Sequence, residues 1–163
     1  MNNILKQIND ALQSTESTVA TAESCTGGLI GATLSSRSGS SLTFVGGAIT
    51  YANEAKIEVL RVPEELLRQC GAVSREVAIT MAESARTLFD STYALSATGI
   101  AGPTGGSAEK PVGTVWCGMA GPRGTNTMLL NLRGDRDAIR QLTVESILRA
   151  FYSRLAGRAF EVG

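Results

Sequence analysis

The sequence contains no histidine, and this absence excludes more chemistry than any other feature of its composition. Histidine is the usual general base of proteins near neutral pH and the commonest ligand of transition metals. A Ser-His-Asp triad is therefore excluded. Acid–base chemistry in this chain has to come from carboxylates, lysine, tyrosine or a cysteine thiolate with a shifted pKa.

Cysteine is scarce, and neither sign of charge is in excess. Cys25, Cys70 and Cys117 are far apart and odd in number, which argues against a disulfide framework and against a structural zinc site. The 15 basic and 15 acidic residues form no long block of one sign, so no surface for nucleic acid or an anionic membrane is predicted. No segment approaches the ~20 apolar residues of a membrane span, and no targeting segment opens the chain. We expect a soluble, cytoplasmic protein with a small ligand.

The length and the apolar pattern predict one domain with alternating helices and strands. We assign the whole chain, residues 1–163, to this domain, with its core at about 3–156 and a loose tail after Gly157. Helices are predicted at residues 3–13, 28–36, 53–60, 63–71, 75–89 and 136–155, and strands at residues 18–22, 44–51, 93–97, 113–119 and 126–132. This order predicts a three-layer α/β/α sandwich with a mixed, mostly parallel sheet, whose last two strands form a hairpin through residues 121–124.

Single residues refine the predicted helix boundaries and faces. Asn53, Ser74 and Asp135 are typical N-capping residues and precede helical patterns. The helix that follows Ser74 is predicted to pack through one apolar face, composed of Val77, Met81, Ala85 and Leu88.

The first candidate site is residues 18–28, where an apolar strand leads through Ser24, Cys25, Thr26, Gly27 and Gly28 into a helix. The N–H groups at a helix N-terminus stabilise anions and developing oxyanions. Ser24 and Cys25 are competing nucleophiles, although the thiol can equally point into the core. The segment matches neither a Walker A loop, nor a dinucleotide fingerprint, nor a nucleophile elbow.

The second candidate site is residues 51–56, which place the Tyr51 phenol at a strand end and the Lys56 amine on the following helix. A lysine or tyrosine is the natural replacement for imidazole as a base. A partly buried, positively biased pocket lowers a lysine pKa enough for that role. The alternative is a solvated lysine on a helix surface.

A third candidate segment lies between the third and fourth predicted strands. Residues 98–112 carry Gly99 and Gly102 among other glycines and prolines, too many for a loop that only holds its shape, so we predict a functional loop. Because ligands of open α/β sheets bind at the carboxyl ends of strands, residues 24–28, 51–56 and 98–106 are expected to meet there.

Arg136 is a candidate to bind a phosphate or carboxylate. The Gly46-Gly47 pair within a strand indicates a bulge or a close backbone approach.

Five motifs resemble, in the same order, the C-terminal domain of the competence/damage-inducible protein CinA and its stand-alone relatives, the nicotinamide-nucleotide amidohydrolases. They are Thr-Ala-Glu-Ser-Cys-Thr-Gly-Gly at 21–28, Gly-Gly-Ala-Ile-Thr-Tyr-Ala-Asn-Glu-Ala-Lys at 46–56, Gly-Ala-Val-Ser at 71–74, Thr-Gly-Ile-Ala-Gly-Pro-Thr-Gly-Gly at 98–106 and Lys-Pro-Val-Gly-Thr-Val at 110–115. The chain departs from the family at Ala52, where serine is frequent, and at Arg61, where glycine is common.

The resemblance implies hydrolysis of the carboxamide of nicotinamide mononucleotide, without metal or cofactor, in a protein that forms dimers or higher homo-oligomers. By motif, Ser24 looks like the nucleophile, and Tyr51 and Lys56 like the groups that activate it. The residues expected to contact substrate are Cys25, Thr26, Gly27, Gly28, Asn53, Thr98, Gly99, Gly102 and Arg136, with the N–H groups of residues 26–28 holding the oxyanion. Two alternatives stay open: an amidohydrolase of another small amide or nucleotide, and a non-catalytic nucleotide-binding protein.

Overall fold

The computed structural model describes residues 1–157 and contains the predicted elements in the predicted order. The helices are α1 (Asn2–Ser14), α2 (Leu29–Ser35), α3 (Asn53–Leu60), α4 (Glu64–Cys70), α5 (Arg75–Leu88) and α6 (Arg136–Leu155). The strands are β1 (Val19–Glu23), β2 (Phe44–Ile49), β3 (Tyr93–Gly99), β4 (Thr114–Gly121) and β5 (Gly124–Asn131). A short 3₁₀ helix at Ser40–Leu42 lies in the connection between α2 and β2. The tail expected after Gly157 lies outside the described residues.

The five strands form one mixed sheet in the order β2-β1-β3-β4-β5. β1 pairs in parallel with both β2 and β3, whereas β3–β4 and β4–β5 pair antiparallel. The mixed sheet is confirmed, but two of its four pairings are antiparallel, so parallel pairing is less dominant than predicted. The difference arises because β4 returns directly beside β3 and continues into the β4–β5 hairpin, without a crossover helix.

Two apolar clusters on opposite faces of the sheet confirm the three-layer architecture. One cluster joins α1, α2 and α6 to the sheet, and the other joins α3, α4 and α5 to it. β1 contributes Val19 to the first cluster and Ala20 and Ala22 to the second, because successive strand residues point to opposite faces. β1 is therefore covered on both faces and holds the centre of the parallel part of the sheet.

The helix caps show which local predictions were correct. Ser74 accepts the N–H of Val77 at 3.4 Å, and Asp135 accepts the N–H of Ala138 at 2.8 Å, so both predicted caps are confirmed. The cap at Asn53 was wrong by one position, because Ala52 occupies the N-cap and Asn53 begins α3. Leu88 was also wrongly placed on the buried face of α5, since its side chain is 51% exposed at the helix end.

The Gly46-Gly47 pair of β2 is explained by close packing within the fold. A Cβ at Gly47 would lie 2.1 Å from the Thr21 hydroxyl oxygen, and one at Gly46 would lie 3.0 Å from the Phe89 ring. The predicted close approach is therefore confirmed, and the neighbours are β1 and the residue after α5. This packing brings the carboxyl ends of β1, β2 and β3 to one edge of the sheet.

Candidate active site

The site is centred on a hydrogen bond between the two side chains predicted as nucleophile and base. Lys56 Nζ donates to Ser24 Oγ at 3.0 Å, to the Thr50 carbonyl at 2.8 Å and to the Tyr51 carbonyl at 3.1 Å. Lys56 is only 1% exposed and Ser24 8% exposed. The alternative of a solvated surface lysine is therefore wrong.

The backbone fixes both partners of this pair. Ser24 follows β1, and its N–H donates to the carbonyl of Ala97 in β3 at 2.9 Å. Lys56 lies on α3, where the chain turns back over the end of β2, and its amine reaches the two carbonyls between β2 and α3. Burial lowers the pKa of Lys56 below its ordinary value, because desolvation disfavours the ammonium. A lysine with a lowered pKa is a more effective proton acceptor near neutral pH.

Cys25 occupies a different environment from its neighbour Ser24. Its side chain belongs to the apolar cluster beneath α1, α2 and α6 and is 5% exposed. Burial raises the pKa of the thiol to about 11, and the charge of Glu23 adds to that increase, against hydrogen bonds from backbone N–H groups. A thiol that stays protonated is a poor nucleophile. The structure therefore separates two residues that the sequence left as competitors.

Glu23 is an important site residue that the sequence reasoning missed. Its carboxylate is buried and accepts the N–H of Ile30 at 3.0 Å and the N–H of Gly31 at 2.7 Å, in the first turn of α2. The helix N-terminus that was expected to hold an anion is thus already occupied by a side chain. An acidic residue six positions before the first residue of a helix with a glycine N-cap was the available signal, but such a long-range cap has no sequence signature.

The loop between β1 and α2 contains the predicted oxyanion donors. The Gly27 N–H donates to the Ser24 carbonyl at 3.0 Å, so it is engaged within the loop, unlike the prediction. Gly28 adopts φ +93°, and a Cβ there would lie 2.8 Å from the Ile49 side chain. The Thr26 carbonyl accepts from Arg140 on α6 at 3.0 Å, a contact that the sequence did not predict. This loop is therefore fixed from β2 and from α6.

Tyr51 and Arg136 meet on the exposed side of the site. Arg136 donates to the Tyr51 phenol at 2.8 Å and to the Gly102 carbonyl at 2.9 Å, so it joins the β2–α3 connection to the glycine-rich loop. The hydrogen bond from Arg136 to Tyr51 raises the pKa of the guanidinium above its ordinary value. The backbone carbonyl of Tyr51 accepts from Lys56, and the residue as a whole is 59% exposed. The phenol accepts a hydrogen bond from Arg136, and its predicted role in activating Ser24 stays a prediction.

The glycine-rich segment after β3 is held by packing to a greater extent than predicted. A Cβ at Gly99 would lie 2.6 Å from Val115, and one at Gly102 would lie 2.6 Å from Val112. The buried Thr98 hydroxyl donates to the Ala72 carbonyl at 2.8 Å. These residues therefore fix the shape of the loop, and their contact with a substrate stays a prediction.

Asn53 is the last of the residues that were predicted to contact substrate. Asn53 is exposed at the start of α3, so its predicted contact with substrate also stays a prediction. Across residues 1–157, no three side chains of the metal-binding types group closely enough to hold an ion. No helix in that same range has both the length and the apolar composition needed to cross a membrane.

Comparisons with known proteins show the family of this chain and agree with its fold. The family model described as the CinA C-terminal domain matches residues 1–155. A CinA-like protein of Geotalea daltonii is 49% identical over 144 residues, which are 88% of this chain and 35% of that protein. The nicotinamide-nucleotide amidohydrolase PncC of Escherichia coli K12 is 45% identical over 150 residues, which are 91% of each chain.

Solved structures share the same architecture over nearly the whole chain. The competence/damage inducible protein CihA of Agrobacterium tumefaciens superposes with a TM-score of 0.91 at 38% identity, covering 94% of both chains. A CinA superfamily protein of Klebsiella pneumoniae gives the same TM-score at 31% identity, covering 95% of this chain. The chain spans about a third of the length of the CinA-like relatives that it matches, and almost all of the length of PncC.

Proposed function

Because the chain belongs to the CinA C-terminal domain family, we propose that it is an amidohydrolase that converts nicotinamide mononucleotide to nicotinate mononucleotide and ammonia, in pyridine-nucleotide salvage. The hydrogen bond of 3.0 Å between Lys56 Nζ and Ser24 Oγ carries this proposal. The E. coli relative of comparable length, which is named for this reaction, supports the substrate.

The three acceptors around Lys56 suit a general base. An ammonium donates three hydrogen bonds, which match Ser24, Thr50 and Tyr51. After loss of one proton, the amine still donates to the two carbonyls, and its lone pair is directed at the Ser24 hydroxyl. The two carbonyls therefore orient the base in both protonation states.

The reaction then runs in two steps. Ser24 Oγ attacks the carboxamide carbon while its proton passes to Lys56 Nζ, giving a tetrahedral intermediate. When this intermediate collapses, the C–N bond breaks, Lys56 returns the proton to the leaving nitrogen, and ammonia departs from a seryl ester. Water attacks the ester carbon and gives a proton to Lys56; the bond between that carbon and Ser24 Oγ then breaks, Lys56 returns the proton to Oγ, and nicotinate mononucleotide and free Ser24 result.

The surrounding groups supply stabilisation and binding. We assign the developing oxyanion to the Gly28 N–H, which donates to no acceptor within residues 1–157 and belongs to the same loop as Ser24. Arg136 and the Tyr51 phenol form a polar edge for the 5′-phosphate of the substrate, since a guanidinium binds phosphate through paired hydrogen bonds. The pyridinium charge makes the carboxamide more electrophilic.

Ammonia release from nicotinamide mononucleotide by the pure protein, with a chelator present, tests this proposal. The Ser24→Ala variant is expected to lose at least about a thousandfold in kcat, because the nucleophile is removed. Cys25→Ser is the matched control and is expected to keep most of the activity. Undiminished turnover in Ser24→Ala, or its loss in Cys25→Ser with Ser24 intact, contradicts the assignment of the nucleophile.

The same experiment separates the alternative functions. A panel of pyridine nucleotides and simple amides distinguishes an amidohydrolase of another substrate. A nucleotide that raises Tm while no ammonia forms with any of these compounds indicates a binding protein without catalysis. The homo-oligomer and the cytoplasmic location stay predictions, and light scattering of the pure protein measures the first of them.

A further inference from the structure

Glu23 is a fully buried acidic residue directly before the nucleophile. It is 1% exposed, and its carboxylate oxygens accept the N–H groups of Ile30 and Gly31 at 3.0 and 2.7 Å. Gly28, the N-cap residue of α2, has no side chain to cap the helix. The cap therefore comes from the last residue of the neighbouring strand.

The strand pattern explains how this reach is possible. Val19, Thr21 and Glu23 alternate on the face of β1 that α2 covers, as the contact of both Thr21 and Glu23 side chains with the space above Gly31 indicates. The bonds from Glu23 to Ile30 and Gly31 close a ring around residues 24–28, the loop that presents Ser24. One residue therefore joins both ends of the loop: its backbone ends β1, and its side chain caps α2.

The backbone of Glu23 is linked to the other half of the site. Its carbonyl accepts the N–H of Thr50 at 2.8 Å, and the carbonyl of the same Thr50 accepts from Lys56 Nζ at 2.8 Å. Glu23 therefore contacts the loop that carries the nucleophile and the strand end that holds the base.

The charge of Glu23 also acts on Cys25. A cysteine near a helix N-terminus usually ionises more easily. Here the carboxylate occupies that N-terminus, and its charge contributes to the raised pKa of the Cys25 thiol. Since a neutral side chain can cap a helix, the costly burial of a full charge calls for a reason beyond helix stability.

We propose that Glu23 is the positioning residue of the Ser24–Lys56 pair: its buried carboxylate fixes the β1–α2 loop so that Ser24 Oγ stays within hydrogen-bond distance of Lys56. The activity readout of this proposal rests on the proposed amidohydrolase function. The reactivity of Ser24 towards a fluorophosphonate probe does not, because it requires no substrate.

Glu23→Gln tests the role with an isosteric side chain. The amide oxygen still accepts one N–H of α2, but the amide nitrogen cannot accept the other. We expect kcat for nicotinamide mononucleotide to fall about ten- to a hundredfold, as misplacement of a reacting group by about 1 Å does, with KM changed less than about threefold. Labelling of Ser24 by the probe is expected to slow by a similar factor.

A variant that is destabilised at a position outside the site separates a loss of positioning from a general loss of stability. Leu12→Ala opens a cavity in α1, outside the site, and is expected to lower Tm at least as much while kcat and labelling stay unchanged. If Glu23→Gln does not fold, Glu23→Asp carries the test. The aspartate keeps the charge but is one methylene too short to reach both N–H groups, so kcat and labelling are expected to fall together.

The outcomes distinguish the two proposals. If the wild type labels at Ser24 but releases no ammonia from nicotinamide mononucleotide, the proposed substrate is wrong, and the labelling rate still measures the role of Glu23. A folded Glu23→Gln with the wild-type labelling rate and kcat overturns the positioning role. A wild type that neither labels nor turns over overturns the nucleophile, and the positioning role with it.

Discussion

Replacement of Lys56 by methionine removes the proposed base but keeps an unbranched buried side chain as far as Cε. Lys56 Nζ is the group within 3.0 Å of Ser24 Oγ that can take its proton. General-base catalysis is typically worth 10²–10⁴ in rate, so kcat of Lys56→Met is expected to fall by that factor, or about 3–5 kcal/mol in transition-state stabilisation. KM is expected to change little, because the amine contacts Ser24 and two backbone carbonyls.

The effect of this substitution on stability is expected to be small near neutral pH. The carbonyls of Thr50 and Tyr51 lose a donor, which costs about 1–3 kcal/mol each. Against this loss, the variant no longer buries an ammonium, a desolvation cost of several kcal/mol. The two terms oppose each other, so thermal unfolding by circular dichroism is expected to show a cooperative transition close to that of the wild type.

The lowered pKa of Lys56 predicts the direction in which stability and activity change with pH. Because burial lowers the pKa of Lys56 in the folded protein, the unfolded chain binds more protons between the lowered and the ordinary value. Wild-type stability therefore rises with pH through this window, and Lys56→Met lacks the rise. Wild-type kcat/KM is also expected to rise as Lys56 becomes neutral, and the residual activity of the variant to lose that ionisation.

The matched control is Lys6→Met, the same substitution at a side chain that is 62% exposed and pairs with Asp10 on α1. It is expected to have wild-type kcat, pH profile and Tm. The reasoning is refuted if folded Lys56→Met keeps more than a tenth of the wild-type kcat with an unchanged pH profile.

Two other substitutions test the proposed phosphate contact of Arg136 and the backbone conformation of the residue that follows α3. Arg136→Gln is expected to raise KM for nicotinamide mononucleotide about ten- to a hundredfold with little change in kcat, measured by initial rates. As the control, the nucleoside without phosphate is expected to have the same KM with wild type and variant. A fall in kcat alone contradicts the phosphate contact. Arg61 follows α3 with φ +54°, and Arg61→Gly is expected to raise the free energy of unfolding by about 0.5–1 kcal/mol, measured by denaturant unfolding. Asp90→Gly, at φ +46°, is expected to gain less, because aspartate tolerates that region. An unchanged free energy of unfolding in Arg61→Gly contradicts the strain.

Local capping signals placed two of the three predicted helix caps correctly and missed the third by one position, at Asn53. Ser74 and Asp135 cap α5 and α6 as expected, because a short polar side chain bonds its own helix within three residues. Predictions that depend on neighbours were less accurate. Leu88 has helical spacing, but whether it is buried depends on what covers the end of α5.

In the candidate site, too, local sequence patterns were informative, whereas contacts between distant segments were not predicted. Ser24 and Lys56 were identified as candidates from residue types and motif spacing, and the glycines of residues 98–112 were recognised as unusual. The sequence could not show that Gly99 and Gly102 are required by Val115 and Val112, because those contacts cross between segments. It also could not show that the Tyr51 phenol turns to Arg136, which is 85 residues away in the chain.

The sequence by itself determined the order of elements, the exclusion of imidazole chemistry and the family resemblance, since composition and periodicity are properties of the chain alone. Only the tertiary structure decided that Lys56 is buried against Ser24, that Cys25 belongs to the core, and that Glu23 caps α2 from β1. The reason is physical: a pKa, a nucleophile's reactivity and a cap of this kind depend on desolvation and on donors within about 3 Å, which chain folding brings together from distant positions.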